Sequence, residues 1–61
     1  MNDYTKGYIV SELFHLYGDY QKLIPFRKYF AEDDKAKFDV LIKKLLDSTV
    51  NAIDKIHRSM E

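Results

Sequence analysis

Two acid–histidine pairs are the first residues here whose types and spacing could do chemistry. Glu12-Leu13-Phe14-His15 has the Glu-x-x-His spacing with which di-metal helix bundles hold their ions, and Asp54-Lys55-Ile56-His57 is a shorter analogue. In an antiparallel hairpin turning near residue 32 the pairs would lie at similar heights. Metal ligands, however, must converge. On a helical wheel with Ile9 at zero, the apolar face of the first segment centres near about 30°, while His15 falls at about 240°. Asp54 falls about 140° from the apolar centre of its own segment. Both histidines are therefore expected on the wet surface, and no metal site or cofactor is expected.

The three serines, Ser11, Ser48 and Ser59, offer no more. None has an oriented base beside it in sequence, and no glycine-rich loop supplies an oxyanion hole or phosphate cradle. A chain of 61 residues has little room for a dry pocket of the usual size. The expectation is that the protein is not an enzyme and has no catalytic residues.

The third candidate is GDYQKLIPFRKYF, residues 18–30, which holds four aromatics, three bases and the only proline. Nucleic-acid binders interleave bases with stacking aromatics in this way. Gly18 could also be the turn glycine of a helix-turn-helix, but Pro25 would then sit inside the recognition helix. A different reading is a crowded aromatic end of a small core, or a docking surface for a protein. Tyr20, Leu23 and Ile24 continue the apolar stripe of the preceding segment. Phe26 and Phe30 share a face, and the stems of Arg27 and Lys28 can cover apolar surface from the side.

The elements that must position these residues are helices. Apolar residues recur at helical, not alternating, spacing, and two glycines and one proline are few interruptions. The second helix is expected over about 34–59, capped by Asp33 or Asp34 after a turn at AEDD, residues 31–34. With Phe38 at zero, Ile42, Leu45, Leu46, Thr49, Ala52, Ile53, Ile56 and Met60 fall within about 80°, a single clean stripe. The first helix is capped by Asn2 or Asp3. It keeps Ile9, Leu13, Leu16, Tyr17, Tyr20, Leu23 and Ile24 on one face, straight through Gly18. Pro25 then gives either a kinked helix to Phe30 or a stop near Leu23 with a new short helix. The break or sharp kink is favoured, because a residue before proline avoids the α region.

The expected fold is all-α: one domain over residues 1–61, an antiparallel helical hairpin whose first arm is kinked or broken near Gly18–Pro25. Its architecture resembles the two-helix hairpin of the Rop-type plasmid copy-number regulators, which dimerise into four-helix bundles and bind RNA. A likeness of architecture carries no function by itself.

Size and charge restrict what such a hairpin does. A chain this short is marginal alone, and without cysteine it has no disulfide to help it. Oligomerisation is the remaining remedy. Residues 1–30 carry four bases and three acids, and residues 31–61 carry six bases and seven acids, so neither half is a basic arm. No apolar run approaches the ~20 residues of a membrane span, and the start lacks the pattern of a signal peptide. A cytoplasmic location is expected. The first helix is apolar over nearly 180° of its wheel, from Leu23 round to Phe14, whereas one hairpin partner covers ~100°. The surplus, with Val10, Phe14 and Tyr17 on its far flank, is expected to form a homodimer and a four-helix bundle. Phe26, Tyr29 and Phe30 complete the expected protein interface. The protein would then be a small regulatory or adaptor protein that binds other proteins. The alternative is a helical dimer that binds RNA or DNA through Lys6, Lys22, Arg27 and Lys28.

Overall fold

The chain is described by a computed structural model that covers residues 2–60. Helix α1 runs over Asp3–Gln21, a 3-10 segment over Ile24–Tyr29, and helix α2 over Glu32–Ser59. The two α-helices pack side by side as an antiparallel hairpin, with no strand among the described residues.

Each boundary has a local cause. Asn2 is extended, and its Oδ1 accepts the Thr5 N–H at 2.8 Å, which satisfies one orphan donor of α1. Gly18 stays inside the helix, as the unbroken apolar spacing requires. Pro25 has no N–H to return to the carbonyl of Gln21, and α1 ends at that residue. One last α-type bond, Lys22 N–H to Gly18 O, and one tighter bond, Leu23 N–H to Tyr20 O, follow, both 3.1 Å. Pro25 then lies in the first turn of the 3-10 segment, where its fixed φ is suited. The first arm is thus broken, not smoothly kinked.

The second helix begins earlier than the sequence suggests. Ala31 is extended and takes the cap position without a side-chain bond. Its carbonyl accepts from the N–H groups of Asp34 at 3.0 Å and Lys35 at 2.9 Å. The expected turn at residues 31–34 shrinks to Phe30 and Ala31. Asp33 reaches only the N–H of its neighbour Asp34, so neither aspartate caps the helix. Together with Glu32 they occupy its first turn, where negative charge suits the helix dipole.

The seam between the helices is narrow. Val10, Ile42 and Ile53 are buried in it, together with Thr49, whose hydroxyl donates to the Leu45 carbonyl at 2.7 Å. No side chain among the described residues is completely enclosed. Polar ties close both ends of the hairpin. At the open end Lys6 Nζ donates to the Ser59 carbonyl at 2.8 Å, satisfying an orphan acceptor of α2. At the turn end Arg27 Nε donates to Asp39 Oδ1 at 2.8 Å, and the Phe30 and Phe38 rings pack with centroids 5.0 Å apart.

The molecule measures 46 × 15 × 12 Å. Its radius of gyration is 14.6 Å, against about 10.5 Å for a compact chain of this length. Its accessible surface is 4884 Å², about 700 Å² more than a compact monomer of this mass exposes. None of the described helices is long and apolar enough to cross a membrane.

Candidate interaction surface

Burial fixes how α1 is rotated about its axis. Val10 is only 6% exposed, and Lys6, Leu13 and Tyr17 are half-buried around it. At 100° per residue these four fall within about 60° of one another, so the seam runs along them. This corrects the expected outer flank. Val10 is enclosed within the hairpin and is not offered to a second chain, and Tyr17 stands beside it. Leu16, Leu23 and Ile24, expected to face α2, are instead more than two-fifths exposed. The apolar arc of α1 is as wide as expected, but the other part of it faces outward.

Two broad sides result, and they differ in chemistry. An antiparallel pair of helices is related by an approximate twofold axis normal to its plane. The same angular flank of each helix therefore opens on the same side. On one side α1 presents Ile9, Leu13, Leu16 and Tyr20, and α2 presents Leu41, Leu45, Ser48 and Ala52. No charged residue falls on this flank between Ile9 and Tyr20 or between Leu41 and Ala52; nearer the turn the exposed Asp34 shares it, about 80° from Ile42. Leu16 is 41% exposed and Leu41 is 55% exposed. On the other side α1 presents Gly7, Phe14 and Gly18, and α2 presents Asp39, Lys43, Leu46, Val50, Asp54 and His57. Phe14, 56% exposed, and Val50 form a small apolar island there among charges. An open groove of about 300 Å³ lies towards the turn on this charged side, lined by Tyr17, Ile24, Phe38, Ile42 and Leu46 with Asp39, Lys43 and Asp47 at its rim.

The turn end carries the remaining aromatics. Phe26 and Tyr29 pack as a tilted pair with ring centroids 6.0 Å apart, and Lys28 Nζ stands 5.3 Å from the Tyr29 ring centroid. Tyr29 is 74% exposed, and Phe26 and Phe30 are open as well. Against α2, Phe30, Phe38 and Leu41 line a second shallow groove together with the charged Asp34 and Lys37, and it opens towards the apolar side.

Of the bases expected for a nucleic-acid grip, Lys6 stands apart from Lys22, Arg27 and Lys28, which lie at the turn end. Lys6 is bound to the end of α2, about 24 Å along α1 from Lys22. Lys22 lies 3.7 Å from Asp19, and Arg27 is tied to Asp39. The hydrogen bond to Asp39 and the Asp39 charge raise the pKa of Arg27 above its ordinary value. Of the acid–histidine pairs, Glu12, His15, Asp54 and His57 are all exposed. Asp54 pairs with Arg58 at 3.1 Å. No cluster of three or more potential metal ligands occurs among the described residues.

The residues that sequence reasoning missed are Leu41, Leu45 and Ala52 as partners of Leu16 on one outer face. Their signal was present: they form one edge of the α2 stripe. Only the rotation of α1 shows that this edge remains uncovered. No protein-family model, curated protein or solved structure matches the chain, so its functional reading rests on this geometry.

Proposed function

We propose that this protein is a small non-catalytic regulatory or adaptor module that works by protein–protein contact. It pairs with itself through the apolar broad side and offers the aromatic turn end, Phe26, Tyr29 and Phe30, to another protein. The observation that carries this reading is the surplus of exposed apolar surface. Among the described residues twelve large apolar or aromatic side chains are exposed, while three apolar ones are buried. Of these, Leu16 and Leu41 lie on the apolar side and Phe26, Tyr29 and Phe30 at the turn end, and exposed apolar patches mark interaction sites. The chain's total accessible surface, 4884 Å², exceeds that of a compact monomer by about 700 Å², of the order of the ~800 Å² that each partner buries in a stable complex. A hairpin with so thin a seam gains its stability by covering that surface.

Sedimentation equilibrium across a range of protein and salt concentrations tests the reading. Association through apolar side chains strengthens with concentration and changes little with salt. Affinity for a generic RNA or DNA duplex that falls steeply with salt, about one power per phosphate contact, in a chain that stays monomeric, would replace it with the nucleic-acid alternative.

A further inference from the structure

We propose that the apolar side is covered by a second copy of this chain, seated so that α1 of each copy lies against α2 of the other. This rests on the self-association put forward above and adds its geometry. The argument comes from the charges that border the apolar side.

On α1 the outer border is acidic. Glu12 and Asp19 are one heptad apart and lie about 160° to 180° from Val10, just beyond Leu16. On α2 the corresponding border is basic. Lys37, Lys44 and Lys55 lie about 140° to 160° from Ile42, just beyond Leu41 and Ser48. All five are exposed. Glu12 and the three lysines make no ion pair among the described residues, and Asp19 has only the long contact to Lys22. These are the flanking positions at which charges select partner and orientation in packed helices.

Two twofold arrangements could stack one apolar side on another. In one, the axis lies across the helices and sets α1 on α1 and α2 on α2. Acid then borders acid and lysine borders lysine. In the other, the axis runs parallel to the helices and sets α1 on α2. Acid then borders lysine on both edges. That axis also keeps every residue at its own height. Lys6 reaches Ser59 at the open end and Tyr17 shares a groove with Leu46; counted along each helix from the Lys6–Ser59 tie, Asp19 comes about level with Lys44. Glu12 comes within about one helical turn of Lys55. The surface is self-complementary in this arrangement alone. It leaves Phe26 and Tyr29 outside the bundle.

Charge reversal tests the geometry by sedimentation equilibrium at low salt, with circular dichroism confirming helicity. The variant Glu12→Lys/Asp19→Lys places lysine opposite lysine, and its dimer dissociation constant should rise roughly tenfold to a hundredfold. The same rise is expected for Lys44→Glu/Lys55→Glu. All four substitutions in one chain restore opposite charges, and affinity should return to within a few-fold of the unsubstituted chain. The differences should shrink in high salt, where exposed charges are screened. A chain that dimerises while ignoring both reversals overturns this arrangement and leaves self-association standing. So does a four-fold variant no better than either reversal alone. A helical chain that stays monomeric at high concentration overturns both.

Discussion

The two broad sides of the hairpin are built from the same pair of helices yet carry opposite chemistry. The charged side has Asp39, Lys43, Asp54 and His57 on α2, and on α1 its middle is made of glycines with Phe14 between them. The apolar side has leucines on both helices and, apart from Asp34 near the turn, places its charges at the borders. A hairpin that worked alone would need both sides wetted, because water meets them equally. On the reading proposed above, one side meets solvent and the other is covered by a second copy. Stability and association are therefore expected to separate by side: damage in the seam unfolds the chain, damage on the apolar side parts the copies, and changes on the charged side do little.

The largest effect is expected in the seam. Ile42 is 6% exposed, and Ile42→Ala should cost ~2–5 kcal/mol through lost burial and a residual cavity. For a chain this small that is enough to abolish helicity, readable by far-UV circular dichroism. A folded, helical Ile42→Ala variant with unchanged melting would mean that the seam is not where the stability lies.

Next comes dilution. If the apolar side is covered by association, the melting temperature falls as the protein is diluted through its dissociation constant. A melting temperature independent of concentration over a thousandfold range would remove the link between that side and stability.

Smaller still is an effect on the charged side. A methyl group added at Gly18 meets nothing within 4 Å. Gly18→Ala should therefore stabilise by about 0.4–1 kcal/mol, by restricting the unfolded chain, without altering the sedimentation of the dimer. Weakened association in this variant would show that the wrong side has been assigned to the interface. The smallest effect is expected from zinc, because His15 and His57 are exposed and separate. A melting shift of several degrees with zinc, lost in His15→Ala, would revive the acid–histidine pairs as a site.

The legibility of the fold differed between the helices for a physical reason. The α2 pattern has one stripe, and Ile42, Thr49 and Ile53 could be assigned to the core from spacing alone. In α1 the apolar residues wrap nearly half the circumference. Periodicity then says that the helix is buried on a wide arc but not which edge meets α2. That rotation is set by the break at Gln21 and by the direction in which the 3-10 segment hands the chain on. Neither has a periodic signature. The wheel accordingly placed Val10 outside and Leu16 inside, and the structure exchanges them. The tie from Lys6 to Ser59 joins residues 53 positions apart and had no local signal. Pro25 was more informative, since a missing donor and a fixed φ are properties of the residue itself. The site was legible only in part: exposed aromatics at the turn were readable, but the apolar side required knowing how two stripes lie against each other.

The central claim is that the apolar side, not the charged one, is the face that must be covered. Sedimentation equilibrium of Leu16→Asp beside Phe14→Asp, each checked for helicity, tests it directly. Both side chains are large, apolar and about half exposed in the single chain, and they lie on opposite sides of it. A charge buried without a partner is costly, so Leu16→Asp should sediment as a monomer of reduced melting temperature. Phe14→Asp should remain a dimer with nearly unchanged melting. Dissociation by Phe14→Asp with an intact dimer for Leu16→Asp would contradict the account and move the interface to the charged side.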